Sequence, residues 1–196
     1  ILYYERAVAF MLRHIKDRPL TLVRFPNGID NTFYQKDASD YFPNWIRTVK
    51  VHHSKSDTDY VYAHNRAAII YLANQVCELH IWASTKESLT KPDRITFDLD
   101  PSKKDHELLR EIAKSLRGFL EDIGLNVYIM ATGGKGFHLV TPIKPELGFR
   151  QVRDFAKKIS WVFASSRPED VTTEFLKEKR KGRIFIDINR NAKDQR

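Results

Sequence analysis

The chain has 196 residues, of which 42% are hydrophobic, so it is long enough to bury a core in one large or two small domains. Cys77 is its single cysteine, which excludes an internal disulfide framework and a thiolate zinc site and favours a reducing, cytoplasmic compartment. The formal net charge of +8 favours a polyanionic partner. No run approaches the roughly 18 apolar residues of a membrane span, so no membrane partner is expected.

The first half of the chain predicts a mixed set of helices and short strands. Apolar spacing predicts a helix over residues 1–16, which Arg18-Pro19 ends. Because the chain begins inside this helix without a methionine, we expect a fragment. The remaining patterns predict strands at 20–25, 32–36, 45–53, 60–62 and 79–82, a turn at Asp57-Thr58-Asp59 and a helix over 66–77.

The second half predicts one compact α/β unit. A strand over 95–100 precedes a helix over 105–123, and a strand pair at 127–131 and 137–141 precedes a helix over 149–165 and a last strand over 184–188. This βαββαβ order is that of ferredoxin-like and RRM-like folds. We therefore expect an α/β (α+β) protein, with an N-terminal αβ unit over 1–93 and an RRM-like unit over 94–196.

Two aspartates separated by one residue lie in the segment Phe97-Asp98-Leu99-Asp100-Pro101. Alternate residues of a strand point to opposite faces, so Asp98 and Asp100 lie side by side while Phe97 and Leu99 face the other way. Adjacent carboxylates repel unless a cation lies between them. Oxygen ligands favour Mg²⁺ or Mn²⁺. The pattern predicts a divalent metal site, and a strand end with two solvated aspartates is the alternative.

A glycine-rich turn, Thr132-Gly133-Gly134-Lys135-Gly136, joins two predicted strands and precedes Phe137-His138. Glycines let backbone N–H groups approach phosphate oxygens, and Lys135 supplies a positive charge for the same oxygens. The spacing matches neither a Walker A loop nor a dinucleotide fingerprint. The turn predicts a phosphate site, with a plain hairpin as the alternative. His138 is then either a phosphate donor or a structural histidine.

A third carboxylate, Asp187, lies between Ile186 and Ile188 in the last predicted strand, with Arg190 three residues beyond. A buried unpaired carboxylate is costly, and a metal shared with the first two aspartates would remove that cost. A salt bridge to Arg183 or Arg190 is the alternative. Three carboxylates, a glycine-lysine turn and an arginine favour two-metal nucleotidyl transfer, in which the metals hold the attacking and leaving oxygens.

The same motifs resemble those of the archaeo-eukaryotic primase superfamily: Asp98-Leu99-Asp100, the segment from Thr132 to His138, and Asp187 with Arg190. The chain is more closely similar to the polymerase domain of prokaryotic DNA ligase D. That similarity rests on further blocks along nearly the whole chain: Arg18-Pro19-Leu20, Phe25-Pro26-Asn27-Gly28-Ile29-Asp30, Phe33-Tyr34-Gln35-Lys36, Glu78-Leu79-His80 and Lys181-Gly182-Arg183-Ile184-Phe185-Ile186-Asp187.

The resemblance implies roles for individual residues. It implies catalytic metal ligands at Asp98, Asp100 and Asp187, and nucleotide contacts from Thr132, Gly133, Lys135, His138 and Arg190. His80 is expected to contact the nucleotide, or else to satisfy a buried backbone carbonyl. Phe33 is expected to stack near the incoming base, or else to be a core residue. Lys36 and Arg183 are expected to contact DNA. One departure is Thr132, which stands where serine is usual in the glycine turn. A second is that members of the family begin before the position of Ile1 and continue beyond that of Arg196, so the resemblance implies a chain truncated at both ends.

The resemblance also implies the activity and the partners. Members of the family are primase-polymerases that add nucleotides, often ribonucleotides, at DNA breaks during non-homologous end joining. The expected partners are therefore primer-template DNA, gapped or broken ends with a 5′-phosphate, NTP or dNTP, Ku, and a fused or separate ligase. The resemblance also implies that this protein, which is expected in the cytoplasm, is associated with the nucleoid.

Two functions of other classes stay open from the residues alone. The segment Asp98-Leu99-Asp100-Pro101-Ser102 approximates the Asp-x-Asp-x-Thr nucleophile motif of aspartyl-phosphate phosphohydrolases. No cap helix or later acidic metal motif accompanies it, and that chemistry has no use for the glycine-lysine turn. A catalytically silent nucleic-acid-binding domain of the same fold is the second, although it would not need all three carboxylates.

Overall fold

A computed structural model describes residues 1–53 and 56–193 of the chain. It divides into two compact units, one ending at Leu89 and the other beginning at Thr90. The assignment of residues 1–93 and 94–196 to two parts of one functional domain stays a prediction. None of the helices in the described segments is long and apolar enough to cross a bilayer.

The first unit combines two helices with two antiparallel sheets. The helices are α1 (Leu2–Ile15) and α2 (Arg66–Ala73), and Asn65 caps α2 by accepting the Ala68 N–H. One sheet has the order β2-β1-β5 and the other pairs β3 with β4. These strands are β1 (Leu20–Arg24), β2 (Phe33–Gln35), β3 (Thr48–His52), β4 (Asp57–Val61) and β5 (Cys77–Ile81). Buried apolar residues from both helices and from β1 form the core of the unit.

Two sequence predictions in this unit are wrong. Asp57-Thr58-Asp59 is not a turn but the start of β4. Across the strand pair, Asp59 forms an ion pair with Lys50 at 3.1 Å and Asp57 Oδ1 is hydrogen-bonded to His52 Nδ1 at 2.8 Å. The helix predicted over 66–77 ends at Ala73. Its last predicted residue, Cys77, instead pairs with Arg24 as the first residue of β5.

The second unit is a five-stranded sheet with the order β7-β8-β6-β10-β9. Its elements are β6 (Arg94–Pro101), α3 (His106–Asp122), β7 (Tyr128–Ala131), β8 (Phe137–Pro142), α4 (Phe149–Ser166), β9 (Val171–Thr172) and β10 (Ile184–Asp187). Without β9 this is the predicted βαββαβ order, and the predicted α/β fold class is confirmed. The two-residue strand β9 is too short to leave a sequence pattern.

One face of this sheet builds the core and the other stays open. Ile95, Phe97 and Leu99 point from β6 into a cluster with the apolar stripes of α3 and α4, and each such burial stabilises the fold by about 1.5–3 kcal/mol. Asp105 caps α3 by accepting the Leu108 N–H at 2.9 Å. The alternation of the central strand then leaves Asp98 and Asp100 on the face opposite the core.

Candidate active site

Strand register places three predicted site residues in one row across the open face. Asp98 on β6 lies opposite Asp187 on β10 and opposite His138 on β8. Directly opposed residues in antiparallel strands have Cβ atoms about 4.5–5.5 Å apart. Asp100 lies two residues further along β6, opposite Phe185. The structure thus brings together residues separated by up to 89 positions in the sequence, Asp98 and Asp187.

Asp98 is the most enclosed carboxylate of the row, with 8% of its surface exposed. Its Oδ2 accepts a hydrogen bond from Arg190 Nε at 2.7 Å and lies 3.1 Å from His138 Nε2. Burial alone would raise the pKa of Asp98, but His138 and the Arg190 guanidinium outweigh it and hold the pKa below its usual value. Asp98 is therefore ionised and already has a cationic partner.

The chain after β10 explains how Arg190 reaches Asp98. Asp187 Oδ1 accepts the Asn189 N–H at 2.7 Å and opens a 3₁₀ turn over Asn189–Asn191. The side chain of Asn191 then accepts the Thr96 N–H at 2.8 Å and donates to the Thr96 carbonyl at 2.7 Å. These bonds fix the turn beside β6. The alternative salt bridge predicted for Asp187 is absent from the described residues, since Arg190 pairs with Asp98 instead.

His138 is buried and incompletely bonded. It is 8% exposed, and its Nε2, although 3.1 Å from Asp98 Oδ2, is not directed at that oxygen with hydrogen-bond geometry. Its Nε2 therefore has no hydrogen-bond partner among the described residues. Buried polar atoms are almost always bonded, so an unpartnered one requires an explanation such as a ligand.

Unlike Asp98, Asp100 has no cationic side chain in contact with it among the described residues. Burial and the charge of Asp98 raise the pKa of Asp100, and Arg180 opposes this shift from nearby. Arg180 is buried, stacks on the Phe185 ring at 3.9 Å and donates to the carbonyls of Glu174 and Phe175. Sequence reasoning missed Arg180. The short separation between Arg180 and Phe185 across a glycine turn was the available signal.

The donor set of the row suits a hard divalent cation, but its side chains do not converge. Asp98, Asp100 and Asp187 supply carboxylate oxygens from one face, the ligands that Mg²⁺ and Mn²⁺ prefer. Within residues 1–53 and 56–193, no three His, Cys, Asp or Glu side chains are grouped so that they could hold a metal. Asp98 faces Arg190, and Asp187 faces the Asn189 N–H. The three-carboxylate metal site stays a prediction.

The predicted glycine turn lies between β7 and β8, beside this row. Thr132 closes it by donating its hydroxyl to the Gly136 carbonyl at 3.1 Å, and Gly133 adopts a positive φ of 78°. Gly136 has no room for a side chain, because a Cβ there would lie 2.3 Å from the Leu99 carbonyl oxygen. Lys135 is exposed at the turn. The geometry supports a turn fixed against β6 with a free lysine.

The whole chain, residues 1–196, matches the family model of the LigD primase-polymerase domain. The chain belongs to the LigD primase-polymerase domain family. This confirms the resemblance drawn from the sequence motifs.

Several curated members of this family are similar over nearly the whole chain. The chain is 31% identical over 201 residues to the multifunctional non-homologous end joining protein LigD of Mycobacterium bovis, and 29% identical over 194 residues to that of Mycolicibacterium smegmatis. The matches cover 97% and 96% of this chain and 26% of each relative. The chain therefore spans about a quarter of the length of these LigD proteins.

A solved structure in the family has the same fold. It is the polymerase domain from Mycobacterium tuberculosis ligase D in complex with DNA, with a TM-score of 0.90 and 29% sequence identity. The match covers 98% of this chain and 71% of that chain.

In this LigD primase-polymerase domain, three of the predicted site residues lie in the first unit. Phe33 is 49% exposed on β2, so it is not a core residue, and Arg24 lies 6.0 Å from its ring centroid. His80 lies on β5 and its Nε2 is 3.2 Å from Glu78 Oε2, so its partner is a carboxylate rather than a backbone carbonyl. Lys36 directly follows β2 and is half-buried. Their predicted nucleotide and DNA contacts stay predictions.

Arg183 has a structural role in the second unit. Its guanidinium donates to the backbone carbonyls of Lys179, Arg180 and Pro168 at 2.9–3.2 Å. These bonds hold the loop that precedes β10. The predicted DNA contact of Arg183 would have to compete with them.

Proposed function

We propose that this domain is a template-directed nucleotidyltransferase that adds nucleotides to DNA ends or gaps in non-homologous end joining. The observation that carries the proposal is the row of Asp98, Asp187 and His138, with Asp100 beside it, on the face opposite the core. Membership of the LigD primase-polymerase family supports it. The net charge of +8 fits a DNA partner.

In this proposal Asp98, Asp100 and Asp187 hold the catalytic Mg²⁺ or Mn²⁺. Burial and the neighbouring Asp98 raise the pKa of Asp100, which fits this role, because a metal would stabilise a carboxylate that no cation contacts in the described part of the chain. When bound, two metals would activate the primer 3′-hydroxyl and stabilise the charge on the leaving pyrophosphate. The protein contributes the strand register that places the three carboxylates on one face.

The nucleotide contacts follow from the groups left unsatisfied around this row. His138 Nε2 is buried and, although 3.1 Å from Asp98 Oδ2, has no hydrogen bond within the described residues, while Lys135 is exposed at the glycine turn, so both donate to the triphosphate. Thr132, Gly133 and Arg190 complete that contact set. Phe33 stacks on the base and His80 contacts the nucleotide, while Lys36 and Arg183 contact DNA. Both NTP and dNTP are substrates, and ribonucleotides are preferred.

The relatives' names support a set of partners from end joining. LigD is described as a multifunctional non-homologous end joining protein, and this chain spans about a quarter of such proteins. We propose that the domain acts with a ligase, fused or separate, and with Ku. The DNA substrates are broken or gapped ends that carry a 5′-phosphate.

Primer extension tests the activity directly. A labelled primer-template and a gapped duplex with a 5′-phosphate are incubated with each NTP or dNTP and with Mg²⁺ or Mn²⁺. We expect template-directed addition, lost in Asp187→Asn and retained in Asp154→Asn, an exposed aspartate on α4. DNA binding without extension would instead identify a silent binding domain. Phosphate release without a template would identify a phosphohydrolase.

Lys135 and His138 are tested by nucleotide titration in the same assay. Loss of either charge-assisted contact costs about 1.5–3 kcal/mol, or about one to two decades in catalytic efficiency. Because the contacts are to phosphate, Lys135→Gln and His138→Gln should lower the catalytic efficiency equally for all four nucleotides. A defect confined to one base would assign these residues to base recognition.

A further inference from the structure

A small basic cavity lies where β6 leads into α3. Its volume is about 80 Å³, and its lining residues are Pro101, Ser102, Lys103, Lys104, His106 and Lys135. Pockets that enclose whole organic ligands have volumes of about 300–1,000 Å³. The size of the cavity therefore suits a phosphate group rather than a whole nucleoside.

Three lysines line this cavity, and none of them pairs with a carboxylate of the described residues. In the segments that the structure describes, no ion pair or hydrogen bond involves the ammonium groups of Lys103, Lys104 or Lys135. The acidic residue nearest in sequence, Asp105, uses its side chain to accept the Leu108 N–H. Like charges around one cavity repel each other until an anion enters. The cavity thus has the electrostatics of an anion site.

The loop that forms the cavity is fixed before any anion binds. Ser102 Oγ donates to the Arg183 carbonyl at 2.6 Å, and the Asp105 N–H donates to the Lys103 carbonyl at 2.9 Å. Lys103 packs so closely on Gly182 that a Cβ there would lie 2.6 Å from its Cε. The 17-residue helix α3 begins at His106, so its positive end also faces this region. A preformed site loses less entropy on binding.

Two residues that line the cavity are next in the chain to residues at the end of the carboxylate row. Pro101 directly follows Asp100, and Lys135 directly precedes Gly136. A Cβ on Gly136 would lie 2.3 Å from the Leu99 carbonyl oxygen and 3.8 Å from Asp100 Oδ1. The glycine turn is therefore seated against the end of β6, with the cavity beside Asp100. A phosphate in the cavity would be the neighbour of any group held at Asp100.

We propose that this cavity is a subsite for a terminal phosphate group, in which Lys103 and Lys104 join Lys135. The group it takes is the distal phosphate of the incoming nucleotide, and afterwards one phosphate group of the pyrophosphate that is released. The assignment to the nucleotide rests on the proposed function, whereas binding of the anion itself does not. A 5′-phosphate of DNA has the same chemistry and is the other source.

Pyrophosphate binding tests the subsite without requiring activity. Inorganic pyrophosphate is titrated into the protein in EDTA by calorimetry, for wild type and Lys103→Gln/Lys104→Gln. Loss of charged donors should raise the pyrophosphate Kd by about tenfold or more. The matched control is Lys114→Gln/Lys144→Gln, which removes the same charge from two exposed lysines outside the cavity and should change the Kd by less than about twofold. An equal Kd in wild type and the Lys103/Lys104 variant would overturn the subsite.

Steady-state kinetics then separates the two phosphate sources. If the cavity takes the nucleotide, the Lys103→Gln/Lys104→Gln variant shows a raised KM for NTP on a gap with or without a 5′-phosphate. A loss confined to the 5′-phosphorylated gap, with an unchanged KM for NTP, would overturn the nucleotide assignment. Should the wild type extend no primer, the proposed function fails, while the pyrophosphate titration still decides the subsite.

Discussion

Arg190 and Asp98 are hydrogen-bonded across the open face of the second sheet, with Arg190 Nε 2.7 Å from Asp98 Oδ2. The same carboxylate oxygen is the one that faces His138. A metal ion that binds Asp98 would therefore compete with the guanidinium for one carboxylate. If a triphosphate attracts Arg190 away, metal binding and nucleotide binding strengthen each other, which is a positive coupling between two ligands.

Neutralising Arg190 should separate these two effects. In Arg190→Gln the carboxylate of Asp98 loses its cationic partner, so we expect Mn²⁺ to bind several-fold more tightly without nucleotide. Nucleotide binding in the same variant should weaken. Mn²⁺ titration followed by electron paramagnetic resonance measures the first, and calorimetry with a non-hydrolysable NTP measures the second.

A matched control for this variant is Arg150→Gln, which removes the charge of an exposed arginine near the start of α4. Its Mn²⁺ affinity should equal that of the wild type. An Arg190→Gln protein that binds Mn²⁺ no better than Arg150→Gln would show that the ion pair does not restrain Asp98.

The residues that share the carboxylate face of β6 could be predicted from the sequence, because the alternation of side chains along a strand is a local property. Asp98 and Asp100 had to share a face once Phe97 and Leu99 were buried on the other. The pairing of Arg190 with Asp98 depends instead on how β10 aligns with β6. In the sequence, 82 residues lie between the end of β6 and the start of β10. No local pattern records that register. Arg180 was missed for a similar reason, because its stacking on Phe185 depends on the turn between them.

The misassigned segment Asp57-Thr58-Asp59 shows a second limit. Aspartate is uncommon in strands, so the composition of this segment favours a turn. In the structure, Asp57 and Asp59 face His52 and Lys50 across the ladder. Opposite charges directly across a strand pair, as in Asp59 and Lys50, stabilise it by about 0.2–1 kcal/mol. Pairing with a partner strand therefore outweighs the intrinsic preference, and the partner is not visible in the segment itself.

Asp100→Asn should stabilise the metal-free protein. The pKa of Asp100 is raised, chiefly by burial and then by Asp98, so the ionised form is disfavoured in the folded state. Folded stability is then lost as pH rises through the folded pKa, and the neutral isostere avoids that loss. In EDTA at neutral pH we expect a Tm on the order of 2 °C above wild type by differential scanning calorimetry.

The same variant should respond less to metal. Mn²⁺ stabilises a protein that binds it in the folded state, so its addition should raise the Tm of wild type more than that of Asp100→Asn. Asp154→Asn, at an exposed position, should match wild type in both conditions. A lower Tm for Asp100→Asn in EDTA would contradict the proposed repulsion between the carboxylates.

Cys77 should be a slow nucleophile in the folded protein. Burial raises the pKa of its thiol to about 11, and the Sγ–H donates to the Leu72 carbonyl. Since only the thiolate reacts, and an exposed thiol has a pKa of about 8.5, alkylation at pH 8 should be on the order of a hundredfold slower than in urea. In the native protein, the rate constant for alkylation by iodoacetamide should rise about tenfold per pH unit from about pH 7 to 10. If alkylation of the native protein levelled off near pH 9, the pKa of the Cys77 thiol would not be raised.

Gly136→Ala should disrupt the site through packing rather than through charge. The added methyl would lie 2.3 Å from the Leu99 carbonyl oxygen, which is backbone in the central strand and cannot rotate away. Overpacking of this kind costs about 1–3 kcal/mol, measured as a lower midpoint in urea unfolding. Gly134→Ala is the matched control in the same turn, because its Cβ would meet only the Thr132 hydroxyl at 3.6 Å.

Because the clash lies next to Asp100, Gly136→Ala should also lose nucleotide addition at temperatures where it is still folded. Equal stability and activity of the two alanine variants would mean that the turn is not seated on β6.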